Sequence, residues 1–210
     1  ISSGDISFND VSYAYSELPV LQNVNKKFTD KGIHIIYGES GSGKSTAMKI
    51  LLGLLKPKGG NIVLDGKNIH SIKNRSDIIS FLAQEAVFFD DTLKNNLTLG
   101  EDIAEEKIFG LMEKLGLEKF ANTEALNMDF THIENKFSGG ELKRLSFVRT
   151  LLRDTPVVIF DEPFANIDAQ NIERVEDIIL SLDDKKVFIV THQLNERIKE
   201  KAASLWKIGA

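Results

Sequence analysis

Apolar and polar residues alternate with a period of two at the start of the chain. The alternation runs from Ile6 to Tyr15 and changes phase near Asn9 and Asp10, and a change of this kind is typical of a β-bulge or a turn. A strand with one buried face is therefore predicted, followed by a second, short strand that ends near Phe28. These two strands are expected to pair in an antiparallel sheet.

Three later segments are apolar throughout instead of alternating. They read "IHIIY" (residues 33–37), "VVIFDE" (157–162) and "VFIVTH" (187–192), and short runs rich in β-branched residues are typical of strands buried on both faces. An amphipathic helix is predicted near residues 168–182, between the last two runs. The order strand, helix, strand favours parallel pairing of those two strands.

Helical spacing of apolar residues marks two other regions. It follows the first apolar run, from Met48 to Leu55, and returns in the middle of the chain, from about residue 92 to 153. We therefore predict an α/β fold with a mostly parallel sheet, an antiparallel β subdomain at the N-terminus and a helical subdomain inserted at about residues 85–153. The whole chain, residues 1–210, is expected to form one domain.

Composition narrows the classes of protein. Hydrophobic residues make up 42% of the chain, which suffices for a core, and 26 Lys and Arg against 31 Asp and Glu leave a net charge of −5, so no basic surface for nucleic acid is expected. The absence of cysteine excludes disulfides and thiolate metal sites. No apolar run approaches the roughly 20 residues of a membrane span, so the domain is expected to be soluble. The first residue is Ile1, which favours a segment taken from a longer polypeptide.

The stretch "GESGSGKST", residues 38–46, has the spacing of a phosphate-binding loop: glycine, four residues, then Gly-Lys-Ser. It lies between a predicted strand and a predicted helix, where main-chain N–H groups and the helix dipole converge on anionic oxygens. Lys44 is expected to reach the terminal phosphates of a nucleotide, and Ser45 to bind Mg²⁺. The residues predicted to bind nucleotide here are Gly38, Ser40, Gly41, Ser42, Gly43, Lys44, Ser45 and Thr46.

Polar residues that end the two later apolar runs supply groups that phosphate hydrolysis needs. Asp161 closes an apolar strand and is expected to hold the Mg²⁺ shell, while Glu162 points differently and is predicted to polarise a water molecule as general base. His192 ends the last strand. Because ligands of open α/β sheets bind at the carboxyl ends of the strands, His192 is expected to contact the γ-phosphate.

Together with these motifs, one further segment makes the chain similar to a known family. The signature segment, residues 137–152, reads "FSGGELKRLSFVRTLL" and is similar to a Leu-Ser-Gly-Gly-Gln motif followed by a basic, apolar helix. From Ile6 to about Gly209 the chain resembles the nucleotide-binding domain of an ATP-binding-cassette (ABC) transporter. The resemblance implies that three residues contact the γ-phosphate bound by a second copy of the domain: Ser138, Gly139 and Gly140.

The signature segment departs from the family pattern at two positions. Phe137 stands where leucine is usual, and Glu141 stands where glutamine is usual, so the contacts expected of residue 141 differ from the family's. The stretch that leads into the segment, "FTHIENKFSGG" (130–140), is shorter than the glycine-containing stretch expected in an exporter. This shortness weakens the assignment of Glu134 to a contact with a transmembrane domain.

Three other segments have counterparts in the family. Gln84 in "FLAQEAVFFDDTLKNNL" corresponds to a glutamine that contacts Mg²⁺ and the attacking water and links both to the membrane partner. "ANID" (165–168) resembles the loop that crosses the dimer interface. Tyr15 corresponds to the aromatic residue that stacks on adenine, with packing on the core as the alternative role and Tyr13 as the second candidate for stacking.

Related ATPases fit the chain less well. DNA-clamping ATPases place a long coiled coil between the phosphate loop and the signature, whereas Lys44 and Ser138 are only 138 − 44 = 94 positions apart. A nucleotide kinase would need a lid with clustered arginines, and the helical middle has no such cluster. The phrase "VFFDDTLKNNL" resembles exporters. Importer ATPase subunits and soluble ABC-type ATPases that act as nucleotide-gated assembly modules are the alternatives.

The resemblance implies a motor domain that hydrolyses ATP with Mg²⁺ and drives export across a membrane. Two copies are expected to close head-to-tail around two ATP·Mg²⁺, at the cytoplasmic face and in contact with transmembrane domains, with no nucleic acid as partner. The catalytic residues implied are Lys44, Gln84, Glu162 and His192, and the Mg²⁺ ligands implied are Ser45, Gln84 and Asp161.

Overall fold

The computed structural model describes residues 4–129 and 136–209, so Glu134 lies outside the described residues. The strands are β1 (Ile6–Tyr15), β2 (Leu18–Phe28), β3 (Gly32–Tyr37), β4 (Gly59–Leu64), β5 (Lys67–Asn68), β6 (Ile79–Leu82), β7 (Val157–Asp161), β8 (Lys186–Thr191) and β9 (Ala202–Lys207). The α-helices are α1 (Lys44–Leu51), α2 (Leu93–Thr98), α3 (Glu105–Lys114), α4 (Thr123–Leu126), α5 (Gly139–Leu152), α6 (Ala169–Leu180) and α7 (Glu196–Glu200).

The strands form two sheets. The first is antiparallel and has the order β2-β1-β4-β5. The second is parallel and has the order β6-β7-β8-β3-β9. Helices α2 to α5 lie between β6 and β7 in the chain. This arrangement confirms the predicted α/β fold with a mostly parallel sheet, N-terminal antiparallel strands and helices inserted in the middle.

Pairing between β1 and β2 agrees with the predicted irregularity and corrects the predicted length. The register shifts between Phe8 and Val11, where the sequence changes phase. The prediction that β2 is short was wrong, because β2 has 11 residues. Most of its first ten side chains are exposed or half-exposed, so an alternation of buried and polar residues is not visible along it.

Buried side chains form two clusters on opposite faces of the parallel sheet. Consecutive residues of β7 alternate between them: Val157 and Ile159 belong to the cluster shared with α1 and the antiparallel sheet, and Val158 and Phe160 to the cluster shared with helices α2 to α6. The parallel sheet is thus covered on both faces, which is why its strands are apolar throughout. In the part of the chain that the structure describes, no helix combines the length and the apolar character that crossing a membrane requires.

His34 lies at the junction between β3, β9 and the antiparallel sheet. It is buried, its Nδ1 is 2.8 Å from the hydroxyl of Ser204, and its Nε2 is 3.0 Å from the main-chain oxygen of Asp30. Its ring contacts the rings of Phe28 and Phe188. Burial lowers the pKa of His34, so the folded protein favours the neutral imidazole.

A pH-dependent loss of stability follows from the lowered pKa of His34. The unfolded chain takes up the proton first as the pH falls below the ordinary histidine value of 6.5, so stability present above that pH is lost as the pH approaches the folded-state pKa. We expect the difference in unfolding free energy between wild type and His34→Gln to narrow from pH 7.5 to 5.5, by at most about 1.4 kcal/mol per pH unit. Urea unfolding at several pH values measures this, and a constant difference would contradict it.

Candidate active site

The parallel register brings the carboxyl ends of four strands to one edge of the sheet. Asp161 on β7 is paired with Val190 on β8, and Thr191 on β8 is paired with Tyr37 on β3. β6 ends beside β7. The residues that follow these strands therefore leave the sheet at the same edge, where ligands bind in open α/β sheets. They include four predicted site residues: Gly38, Gln84, Glu162 and His192.

Two glycines let the phosphate loop (residues 38–46) run close to other backbone. Gly38 has a φ of +155°, and a Cβ atom there would lie 2.1 Å from the main-chain oxygen of Ile208. Gly43 has a φ of +102° and precedes α1, and its Cβ atom would lie 3.0 Å from Val20 on β2. A side chain at either position would push the loop away from its neighbours.

The polar groups of the phosphate loop are arranged around its own backbone. Lys44 is buried, and its Nζ donates hydrogen bonds to the main-chain oxygens of Gly38 and Glu39, at 2.8 Å each. The hydroxyl of Ser42 is buried and has no hydrogen-bond partner among the described residues. Ser45, in the first turn of α1, is exposed. A cradle of this kind offers N–H groups, an ammonium and hydroxyls to an anion.

Asp161 and Glu162 lie at the end of β7 in different environments. Asp161 is buried, and burial raises the pKa of its carboxyl, with the charge of Glu162 acting in the same direction. The ammonium groups of Lys143 and Lys44 are close enough to lower that pKa in part. Glu162 adopts a φ of +46°, which turns its side chain away from the direction of the strand.

The carboxylate of Glu162 accepts three hydrogen bonds from the end of β8. The hydroxyl of Thr191 donates to its Oε2 at 3.1 Å, and the main-chain N–H of His192 donates to its Oε1 at 2.9 Å. The Nδ1 atom of His192 lies 2.7 Å from the same Oε1. Glu162 and His192, two of the four residues predicted to act in catalysis, are thus in direct contact. Sequence reasoning did not include Thr191, which precedes the predicted histidine by one position.

Lys143 is a further residue at this edge that sequence reasoning missed. It lies on α5, only 2% of its surface is exposed, and its Nζ donates to the main-chain oxygens of Ala83 at 3.0 Å, Gln84 at 2.8 Å and Asp161 at 3.4 Å. Burial lowers its pKa to about 8. The signature segment is basic and helical, so nothing in its residue pattern separates this lysine from an exposed one.

The signature segment starts α5 with a capping box. The hydroxyl of Ser138 accepts from the N–H of Glu141 at 3.2 Å, and the carboxylate of Glu141 accepts from the N–H of Ser138 at 2.8 Å. Lys119 pairs with the same carboxylate at 2.5 Å, so a cation balances the glutamate that replaces the family's glutamine. Gly139 is exposed, and a Cβ atom there would meet nothing within 4 Å.

The start of the signature segment contacts the turn before α6. Among the described residues, no hydrogen bond joins 138–140 to 38–46. A Cβ atom at Gly140 would instead lie 3.0 Å from the main-chain oxygen of Asn166. Asn166 belongs to the "ANID" turn before α6, whose Asp168 caps that helix and pairs with the buried Arg144 at 3.1 Å. The turn and the signature thus form one continuous surface.

Tyr15 and Tyr13 lie near the phosphate loop, at the tip of the β1–β2 hairpin. Their rings pack edge to face with 5.0 Å between centroids, and Tyr15 is 48% exposed. Tyr13 is paired with Leu21, and Val20, the residue before Leu21, contacts Gly43. The hairpin therefore holds an exposed aromatic surface beside the start of α1.

The site offers Mg²⁺ few ligands of its own. Among the described residues, no group of three or more His, Cys, Asp or Glu side chains is arranged to hold a metal ion. The predicted ligands are one carboxylate, Asp161, one exposed hydroxyl, Ser45, and one exposed amide, Gln84. Such a set fits Mg²⁺, which proteins commonly bind through one or two carboxylates together with substrate phosphates.

Comparison with known proteins shows the family of the chain. A sequence model of the family described as ABC transporter matches residues 21–165, more than half of the chain. The chain belongs to the ABC transporter family. ABC domains of this kind hydrolyse ATP, and membership therefore makes the chain an ATPase domain.

Two curated ABC relatives are similar to the chain over nearly all of its length. The chain is 33% identical over 202 residues to the lactococcin-G-processing and transport ATP-binding protein LagD of Lactococcus lactis subsp. lactis, covering 93% of this chain and 29% of that protein. It is 30% identical over 203 residues to the ATP-dependent lipid A-core flippase of Idiomarina loihiensis, covering 92% and 35%. The chain thus spans about a third of the length of the curated relatives it matches.

A solved structure supports the fold. A bacterial Atm1-family ABC exporter with ATP bound superimposes with a TM-score of 0.86 over 99% of this chain and 38% of that chain. The two sequences are 20% identical over the match. The likeness therefore establishes the fold of an ABC domain for this chain.

Two glycine substitutions test the close approach in the phosphate loop. Gly38→Ala is expected to lower the unfolding free energy by on the order of 3 kcal/mol, because its Cβ atom has to displace the Ile208 backbone. Gly41→Ala has a positive φ of +81° but open space around the added atom, so about 1 kcal/mol is expected. Urea unfolding of both variants measures the difference. Equal losses would show that Ile208 does not constrain the loop.

Proposed function

We propose that the chain is the ATP-hydrolysing motor domain of an ABC exporter and that two copies close head-to-tail around two ATP·Mg²⁺. The main support is that, among the described residues, no hydrogen bond joins Ser138–Gly140 to the phosphate loop of the same chain. The 14-residue helix α5 begins at the exposed Gly139, so the positive end of its dipole lies at these residues. An anion bound by a second copy would add to the capping that Ser138 and Glu141 already provide at that end.

Within each copy, the phosphate loop would bind the nucleotide's phosphates. Lys44 donates to two neutral carbonyl oxygens, and a phosphate oxygen is a stronger, charged acceptor, so the ammonium would transfer to it. The main-chain N–H groups at the start of α1 and the hydroxyl of Ser42 would complete the contact. Tyr15, on the hairpin that contacts Gly43 through Val20, would stack on adenine.

Glu162 would act as general base for the attacking water. Thr191 and the N–H of His192 hold its carboxylate in place, which preorganises the base. The Nδ1 atom of His192 faces the same carboxylate, so Nε2 is the ring nitrogen left to contact the γ-phosphate. Mg²⁺ supplies positive charge that stabilises the transferred phosphoryl group. The Mg²⁺ ion would be held by Asp161, Ser45 and Gln84.

Exposed apolar residues beside Gln84 support a transmembrane partner. Val87 and Phe89 are 61% and 58% exposed. The guanidinium of Arg149 lies 4.4 Å from the ring centroid of Phe88 and donates to the main-chain oxygen of Val87 at 2.6 Å, so this apolar surface is fixed in shape. We infer that transmembrane domains contact it at the cytoplasmic face of a membrane.

The similar proteins favour export over import. Their names describe a processing and transport protein, a lipid A-core flippase and a bacterial exporter. The curated relatives are about three times as long as the chain, so a transmembrane part of the same polypeptide or of a partner has room within such a protein. The two copies would close when they bind ATP and open after hydrolysis, and this motion would be transmitted to the transmembrane part.

Mixing two inactive variants tests the shared site. Lys44→Ala removes the phosphate contact of one copy, and Gly139→Asp adds a carboxylate where α5 would meet the partner's γ-phosphate, in space that the fold leaves open. Each variant alone is expected to be nearly inactive. Their mixture restores one intact site in each mixed dimer, so phosphate release should return to about a quarter of the wild-type rate.

The control for that mixture is Gly110→Asp. Gly110 also has open space around an added Cβ atom, but it lies on α3. The Gly110→Asp variant alone should have wild-type activity. Its mixture with Lys44→Ala should release phosphate at the sum of the two separate rates and no faster. If Lys44→Ala and Gly139→Asp together give only the sum of their separate rates, the site is not shared between copies.

Glu162→Gln tests the general base. The amide keeps the shape of the side chain but accepts a proton poorly, so hydrolysis should fall by about 10²- to 10³-fold while ATP binding is kept. An ATP-dependent dimer should persist in size-exclusion chromatography. Thr191→Val removes the hydroxyl that contacts Glu162, together with the bonds of that hydroxyl to the main chain of Gln193, and should cost about tenfold. Full turnover by Glu162→Gln would place the base elsewhere.

A further inference from the structure

Lys143 makes a contact that the roles described above do not use. Its ammonium lies between two segments of the site, bonded to Ala83 and Gln84 on one side and to the main-chain oxygen of Asp161 on the other. The side chain itself comes from a third element, α5. One buried cation therefore joins the signature helix to the loop that carries Gln84 and to the strand that carries Asp161.

Packing alone does not account for a lysine at this position. Taking an ammonium out of water costs several kcal/mol unless acceptors and opposite charges compensate. The three carbonyl oxygens provide the acceptors, and the carboxylates of Asp161 and Glu162 provide negative charge nearby. A methionine would fill a similar volume without that cost. What the lysine adds is a set of directed bonds to the backbone of the site.

We propose that Lys143 is a positioning residue for ATP hydrolysis, which sets the backbone of Gln84 and Asp161 relative to the signature helix. The proposal rests on the proposed ATPase function of the site. Both Gln84 and Asp161 would touch Mg²⁺, and small displacements of groups around a reacting centre cost large factors in rate. Because α5 begins at the residues proposed to face the partner's nucleotide, Lys143 also ties that surface to the chain's own metal ligands.

The test compares two buried lysines. Lys143→Met is expected to lower kcat about 10- to 100-fold, to change KM for ATP less than about threefold and to raise the Mg²⁺ concentration that gives the half-maximal rate. The matched control is Lys186→Met. Lys186 is 1% exposed and donates to the main-chain oxygen of Phe28 and to Asp5, away from this edge. It should lose stability yet keep kcat within about twofold.

A conservative variant distinguishes the hydrogen bonds of the Lys143 side chain from the volume that it fills. The amide of Lys143→Gln donates to carbonyl oxygens, so its kcat should lie about threefold below wild type and above that of Lys143→Met. It carries the same test if Lys143→Met does not fold. Steady-state phosphate release at one pH, with the folded fraction fixed by urea unfolding, gives all these values.

The outcomes distinguish the two proposals. No hydrolysis by the wild type would overturn the proposed function and this inference with it. An active wild type with unchanged kcat in Lys143→Met and Lys143→Gln would overturn the inference alone. A kcat loss that Lys186→Met reproduces, or a loss confined to KM, would also overturn it, because general destabilisation or uniform weakening of ATP binding would then explain the effect.

Discussion

Parallel pairing of β3, β7 and β8 in one register is the constraint on which the site depends. Asp161 is level with Val190, and Tyr37 is level with Thr191. A shift of one strand by one residue would turn each buried side chain to the other face. The two cores on opposite faces of the sheet forbid that shift. The same packing that stabilises the ABC fold therefore decides that the phosphate loop, the carboxylates and His192 emerge together.

The sequence was sufficient for those elements whose apolar character is continuous. β3, β7 and β8 are buried on both faces, so each is visible as a run of apolar residues. Burial alternates along β9, but its residues, AASLWK, do not alternate between apolar and polar types, and β6 has only four residues, so neither strand shows a recognisable sequence pattern. Both exist because a neighbouring strand offers them hydrogen-bonding partners, which no local pattern records.

The same limit applies to the candidate site. The phosphate loop and the residues that end β7 and β8 were identifiable, because glycine spacing and strand ends are local features. The contacts of Lys143 reach Ala83 and Gln84, 60 and 59 positions away in the chain. The pair of Lys119 and Glu141 likewise depends on how a short turn packs on the start of α5. Sequence reasoning had no means of seeing either.

The balance of charge explains why two lysines, Lys44 and Lys143, lie close to Asp161 at one edge of the sheet. Asp161 is buried beside Glu162, whose charge adds to burial in raising the pKa of the Asp161 carboxyl. Lys44 and Lys143 both offset that repulsion, yet only Lys44 sits in a loop that would bind phosphate. If Lys44 turned to a bound phosphate, as the stronger charge-assisted bond favours, its charge would be shared with the phosphates. Lys143, held by three carbonyl oxygens, would keep a cation beside Asp161 while Lys44 contacts phosphate, and its charge acts to lower the pKa of that carboxyl.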